Sequence, residues 1–548
     1  MMAKGKKKSS SSQSKKRKSN QKTKVAPASA SPQGEAAFSP SFSAFQADYE
    51  AGRSLVVSSK LVADLETPVS AFLKLSHDPN ENGNNGILPN CFLFESVEGG
   101  AVRGRYSVIG LKPDVIFRNY GKKAEINTAV LDGCTTFTPL EEDSLQALRE
   151  LLHRSRIELD EDLPPMAAGV FGYMGYDTVR LIEDLPEPEK EGLGLPDGIF
   201  IRPTIMVIFD AVKDELTMVH RVDYSADIDA KTAYQRACDQ LSLAMVDLNA
   251  PLPHQASPAP ADMGFEEPQS NTSEAAYLQM VAKAQDYIAA GDIFQVVLSQ
   301  RFSAPFALPP FALYRALRRT NPSPFLYFLN FDGVSIIGSS PEILVRAREG
   351  KVTIRPIAGT RPRGKTREED ARLAEDLLAD PKECAEHLML LDLGRNDVGR
   401  VSKLGEVTVT DQFFLEYYSH VMHIVSNVEG ALDPAFDEID ALMAGFPAGT
   451  VSGAPKVRAM EIIDELEVSK RGVYAGCVGY FSANGDMDSA IVLRTALVKD
   501  GMMHVQAGAG IVADSDPASE MLECVNKAKA LFKARSEAVR FAAMKSNR

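Results

Sequence analysis

The 548-residue sequence has no tryptophan, only six cysteines, and no run of about 18 consecutive apolar residues. The missing apolar run excludes a helical membrane span. The cysteines (Cys91, Cys134, Cys238, Cys384, Cys477 and Cys524) are scattered without any Cys-x-x-Cys. This excludes a zinc ribbon and a disulfide framework, and it suits a reducing compartment. No internal repeat of fixed period is present. A nucleotide-binding P-loop is also lacking: three residues separate Gly449 from Gly453 and Val457 follows Lys456, where the loop requires four residues and then Lys with Ser or Thr.

Basic charge is scarce outside the first residues. Residues 1–24 carry ten Lys or Arg and no acid, so the rest of the chain holds 50 basic against 74 acidic side chains. An acidic body is a poor binder of nucleic acid, because neutralising phosphates takes clustered cations. The hydrophobic content of 44% with 24% charged residues is ordinary for a globular protein. The length predicts more than one domain.

Residues 1–40 are Lys, Ser, Gln, Ala and Pro with almost no large apolar side chains. They bury too little to offset ordering entropy, and a disordered basic tail is expected. Its cluster Lys15, Lys16, Arg17, Lys18 serves solubility, localisation or weak nucleic-acid contact. It has neither the apolar core of a secretory signal nor an Arg-rich amphipathic pattern. From 41 to 248, short β-branched and aromatic runs such as RYSVIGLKPDVIFRNYG and GIFIRPTIMVIFD surround a helical stretch at SLQALRELLHRS. Residues 249–272, rich in Pro and Ala, read as a linker. A second unit, 273–530, opens with the helix SEAAYLQMVAKAQDYIAAG, with Asn271 and Glu274 spaced as a capping box and Gly291 at its end. Strands, two long helical stretches and late glycine-rich strands follow, with a helix end and tail at 531–548. Strands do not alternate strictly with helices, so the fold class is α+β with large antiparallel sheets and flanking helices.

Two carboxylate pairs stand out in this unit: Glu383 with Glu386, and Glu520 with Glu523, each at i, i+3 just after an Asp-Pro step. Asp380 or Asp516 can cap a helix whose first turn takes the proline, and the spacing puts both carboxylates on one helix face. One such pair is ordinarily a solvated face. Two converging pairs would offer hard oxygen donors to a divalent cation such as Mg2+, which takes one or two carboxylates and keeps water and an anionic ligand in its remaining positions. Three small-residue loops lie nearby: PIAGTRPRG (Gly359, Thr360, Arg361, Arg363), PAGTVSGAPK (Gly449, Thr450, Ser452, Gly453) and QAGAGIVADS (Gly508, Gly510). Backbone N–H groups in such loops favour anions, although turns also demand glycine for conformational reasons alone.

In this order, PIAGTRPRG, EHLMLLDLGRND, SHVMHIVSNVEG, FPAGTVSGAPKVRAMEIIDELE and QAGAGIVADSDPASEMLEC resemble the chorismate-utilising enzymes, and among them the anthranilate synthase component I family. The likeness continues upstream through LFESVEGGAVRGRYSVIG and AAGVFGYMGYDTVR. It implies a Mg2+-dependent reaction that turns chorismate and ammonia into anthranilate and pyruvate, the first step of tryptophan biosynthesis, in the cytoplasm. Carried over by position, Glu386 and Glu523 match metal ligands, and Glu383 and Glu520 line the same pocket. Tyr474, Arg494, Gly508, Gly510, Gly359 and Thr360 match substrate-binding positions. Glu342, in SSPE, matches the general acid for the departing ring hydroxyl, and Thr450 belongs to the same catalytic set. His423 matches the histidine of the later pyruvate elimination, with His420 a same-type neighbour out of register. Water-adding relatives carry a Lys where this chain has Gln295, and relatives making aminodeoxychorismate carry one where it has Ala358, so external ammonia is the implied nucleophile. No glutaminase half is recognisable, which implies a separate amidotransferase subunit in a hetero-oligomer. Leu93, Glu95, Ser96, Asn321, Pro322, Ser323, Pro324 and Phe325 match the stretch that binds the inhibitor tryptophan, with Phe94 and Phe325 replacing Leu and Tyr. The alternatives are an aminodeoxychorismate synthase component, or a non-catalytic scaffold with a nucleic-acid-binding tail.

Overall fold

In the computed structural model of the chain, the described residues are 38–78, 86–98, 102–186, 189–253, 266–418 and 421–546. The basic cluster at 15–18, the middle half of the linker (254–265) and His420 therefore lie outside them. Among the described residues, 23 strands join in one sheet system, and the pairings that position the site are antiparallel. The α+β reading with large antiparallel sheets is what the chain adopts.

Regions 41–248 and 273–530 share this sheet. Strand Cys91–Glu98 pairs with Phe325–Phe331, with Ser96 opposite Phe325. Strand Gly169–Met174 pairs with Cys477–Ser482. Aromatic packing follows the same seams: the ring of Phe171 lies 4.7 Å from that of Phe92 and 5.4 Å from that of Tyr480. Offset aromatic pairs at such spacings add to their area burial. The composition shift at 249–272 thus marks a connection between parts of one sheet. Gln269–Ser270, inside it, form a short strand on Gln295–Pro305.

The helix after that connection is Glu274–Ala290, ending at Gly291 with φ +85. Its cap differs from the Asn271–Glu274 spacing read from sequence. Ser273 is the N-cap and accepts from the Ala276 amide at 3.3 Å. Asn271 is drawn away because its side chain accepts from the Arg301 amide and donates to Ser469 Oγ, both at 2.9 Å. The C-terminal helix also differs: it runs unbroken over Pro517–Ser546. Leu531, Ala534 and Ala538 are buried, so the helix packs into the body through residues 531–538.

Four pieces build the site. Strand Gln295–Pro305 pairs with Met502–Ile511, setting Val297 opposite Gly510 and Ser299 opposite Gly508. Strand Ile357–Pro362 pairs with Val421–Leu432, setting Thr360 opposite His423. Helices Pro381–Gly399 and Pro517–Ser546 bring their first turns to the same place.

Candidate active site

Both helix starts form as their sequences dictate. The Asp380 carboxylate accepts from the amides of Lys382 (2.9 Å) and Glu383 (3.3 Å), with Pro381 in the first turn. Asp516 accepts from the Ser519 amide at 2.8 Å. Helix N-termini favour negative charge nearby, and a cavity of about 480 Å³ lies between the two. Of the thirteen catalytic, substrate and metal positions read from sequence, twelve line it: Glu342, Gly359, Thr360, Glu383, Glu386, His423, Thr450, Tyr474, Arg494, Gly508, Gly510 and Glu523. Glu520 does not. It sits half-buried in the first turn of its helix, where the Ser515 side chain bonds it, while Glu523, 300° further round the helix, reaches the cavity rim from an exposed position.

Each carboxylate has a protein partner. Glu383 meets Arg361 at 2.9 Å, and Arg361 also pairs with Asp376 and Asp380. Glu523 meets Lys527 at 2.7 Å, and Lys527 Nζ donates to the Gly508 carbonyl at 2.9 Å. Glu386 accepts from Gln295 Nε2 at 3.2 Å, while Gln295 Oε1 is buried without a partner. Burial raises the Glu386 carboxyl above its ordinary range, and the charges of Glu383 and Glu523 push it the same way. Among the described residues no three His, Cys, Asp or Glu could hold a metal ion on their own. Mg2+ asks for less, only one or two carboxylates with water and an anionic ligand completing its shell. Like-charge crowding at half-buried Glu386 is what a divalent cation relieves, so the donor chemistry fits.

Across the cavity the groups are of other kinds. Glu342 is 7% exposed and burial pushes its carboxyl up to about 8, against the opposing pull of Thr450, the Ile357 amide and Arg494. It is thus a proton donor at neutral pH. Arg494, at φ +47, is a half-buried guanidinium with no ion pair to a described residue, and a partly desolvated cation in this state calls for an anionic ligand. His423 Nδ1 lies 3.0 Å from the Gly359 carbonyl and 3.1 Å from Thr360 Oγ1. The carbonyl can only accept, so Nδ1 carries the hydrogen and Nε2 is the free acceptor. Burial lowers the His423 pKa and keeps the ring neutral. Gly359 makes this possible. Its φ of +69 at the bulge between Ala358 and Thr360 turns the carbonyl toward the ring.

Two buried networks fix the walls. Arg471 and Glu467 pair at 2.6 Å with almost no exposure. The guanidinium also donates to the carbonyls of Val451 and Val297, each at 2.7 Å, and lies over the rings of Tyr176 and Tyr474. Glu467 accepts from the amide and hydroxyl of Ser299 at 2.8 Å. The second network ties helix to strand. The Ser426 hydroxyl accepts from the Phe413 amide at 3.1 Å and shares a hydrogen bond of 2.6 Å with His387 Nε2. His387 has no exposed surface and adjoins Glu386, while Ser426 shares a strand with His423.

Residues 90–533 match the family described as chorismate binding enzyme. The chain belongs to that family. As a chorismate binding enzyme it is 53% identical over 511 residues to anthranilate synthase component 1 of Cereibacter sphaeroides, covering 92% of this chain and 99% of the relative. It is 48% identical over 475 residues to the Thermus thermophilus protein of the same name, covering 86% and 96%. Among solved structures, anthranilate synthase component I from Streptococcus pneumoniae aligns with TM-score 0.69 at 37% identity, over 86% of this chain and 98% of that one.

The upstream positions read as an effector site lie elsewhere in this chorismate binding enzyme, and none lines the cavity. Strand pairing brings them together, with Glu95 opposite Leu326 and Ser96 opposite Phe325. Glu95 is buried with both oxygens taken, by Arg318 at 2.6 and 2.9 Å and by the Tyr314 hydroxyl. Ser96 Oγ donates to the Tyr106 carbonyl at 3.1 Å, and Asn321 Nδ2 is buried without a partner. Sequence reasoning passed over Lys527. Its i+4 spacing from Glu523 was the available signal, since that places its ammonium over the same helix face.

Proposed function

We propose that the chain converts chorismate and ammonia to anthranilate and pyruvate as the synthase component of an anthranilate synthase. The observation that carries this is one cavity holding a protonated carboxyl (Glu342), a neutral histidine (His423), an unpaired guanidinium (Arg494) and crowded carboxylates, with amide Gln295 and methyl Ala358 where related enzymes place an amine. Arg494 and Tyr474 hold the substrate against the Gly508–Gly510 strand. Glu342 gives its proton to the departing C4 hydroxyl as ammonia attacks C2. His423 Nε2 serves the proton transfer in the later loss of pyruvate. Mg2+, held by Glu386 and Glu523, would supply Lewis-acid polarisation and a template for the ring carboxylate. Ammonia comes from glutamine through a separate amidotransferase subunit. Tryptophan acts as feedback inhibitor at the Glu95–Ser96 and Asn321–Phe325 segments, whose adjacency in the sheet supports one site. All six cysteines are free, in keeping with a cytoplasmic setting.

The test is incubation of the chain with chorismate, Mg2+ and ammonium while anthranilate fluorescence is followed. Fluorescence should rise, vanish when Mg2+ is chelated, and fall when tryptophan is added. A non-fluorescent amino product would overturn the assignment in favour of aminodeoxychorismate synthesis.

A further inference from the structure

His423 stands in the middle of a row across three strands. In strand Val421–Leu432 it lies opposite Thr360 on one side and, on the other, opposite Glu416 of strand Ser402–Tyr417. Side chains directly opposite in antiparallel strands share a face, with Cβ atoms about 4.5–5.5 Å apart. Thr360 helps to hold Nδ1, and the Glu416 side has a bracket of its own. The Glu416 carboxylate accepts from the Tyr418 hydroxyl at 2.8 Å and, on its other oxygen, from the Arg355 guanidinium. Tyr418 is buried, and its ring meets the imidazole edge-on, with centroids 5.4 Å apart at 66°, a favoured aromatic geometry. The main chain of Tyr418 is fixed as well: its amide donates to the Val421 carbonyl at 2.8 Å, and its carbonyl accepts from Arg363 Nη1 at 2.7 Å. Neither Glu416 nor Tyr418 lines the main cavity, so each acts on a ligand there through His423.

We propose that Glu416, bracketed by Tyr418 and Arg355, is a positioning residue for His423: it keeps the imidazole in place and balances the charge that the ring acquires during the reaction. The inference rests on His423 being the base in the loss of pyruvate. In that step the Nε2 lone pair takes the proton from the ring carbon that bears the new amino group. The C–H pair becomes the last double bond of the aromatic ring, and the neighbouring C–O bond breaks with its pair leaving on oxygen as pyruvate enolate. The enolate afterwards takes up the proton, and the imidazole is neutral again. Between these events His423 is a cation in a wall that already holds Arg494, whose charge opposes it, whereas the charge of Glu416 favours it. The other charged groups around the ring are Glu342, which faces both Tyr418 and Arg494, and the Arg355 and Arg363 guanidinium groups of the bracket. A carboxylate placed in this way lowers the barrier of pyruvate loss and leaves the earlier amination, in which Glu342 is the acid, untouched.

Glu416→Gln tests this by removing the charge and keeping the shape. With chorismate, Mg2+ and ammonium, the variant should form anthranilate about tenfold more slowly at an unchanged KM, while consuming chorismate at nearly the parent rate. The difference should leave as a non-aromatic amino intermediate, which added parent protein converts to anthranilate. An anion raises the pKa of a neighbouring imidazole, so its loss should move the acid limb of kcat for anthranilate down by about half a pH unit. Glu416→Asp, which keeps the charge, should leave that limb in place. Tyr418→Phe, which keeps the ring against His423 but releases the carboxylate, should raise the ratio of intermediate to anthranilate by less than Glu416→Gln does. A parent-like ratio and an unmoved acid limb in Glu416→Gln overturn the inference and leave the proposed function standing. An equal fall in chorismate consumption and anthranilate formation, with no intermediate released, also overturns it, because that is the mark of a merely structural role. Failure of the parent to form anthranilate overturns both readings.

Discussion

His387 shows how one side chain serves the site without entering it. Its bond to Ser426 pins the helix of Glu386 to the strand of His423, and burial lowers its pKa from 6.5 to about 4. Between those values the unfolded chain binds a proton that the folded chain does not. The contribution to stability is therefore complete above pH 6.5 and is lost as the pH falls toward 4, amounting to about 3 kcal/mol at most. Denaturant unfolding of His387→Gln should show a deficit against the parent that shrinks between neutral pH and the lower value; a constant deficit would refute the assignment. Nothing in the sequence marked this residue, since a lone His in EHLMLLDLGRND is as consistent with a solvated helix face. Glu342, Arg494 and His423 were legible only through the resemblance. Their protonation states follow from burial, which spacing does not reveal.

At the scale of elements, the sequence was most readable where a local rule decides. The Asp380 and Asp516 caps, the prolines in the first turns and the glycine end of the Glu274–Ala290 helix all form as read. The Asn271 cap failed because a tertiary partner competed: the Arg301 amide and Ser469 claim that side chain, and the cap moves to Ser273. Ser273→Ala should then cost about 1 kcal/mol in urea unfolding. Asn271→Ala should act through the lost strand contact and leave the helix start protected in amide hydrogen exchange. Reversed outcomes would restore the original register. The broken alignment of Glu520 has the same character, since helical spacing gives a shared face but not how far that face turns inward.

For the molecule as a whole, composition suggested two regions and a linker, whereas the pairings of Cys91–Glu98 with Phe325–Phe331 and of Gly169–Met174 with Cys477–Ser482 unite them. Long-range register of this kind has no local signature, because each strand reads the same whichever partner it finds. A chain cut between residues 254 and 265 is expected to remain associated in native size-exclusion chromatography and to retain turnover. Two separately eluting halves would show that the shared sheet does not hold them.

The buried Arg471–Glu467 pair carries a consequence of its own. Its guanidinium is tolerable in the interior only when Glu467, the Val297 and Val451 carbonyls and both tyrosine rings are already in position. Remove any one contributor and a desolvated charge is left exposed to apolar surroundings. The back wall therefore behaves as an assembly checkpoint. A chain that has folded three of the four contributing segments has no stable, half-made pocket in which to bind substrate and misdirect the chemistry, and a competent cavity appears only together with the finished fold.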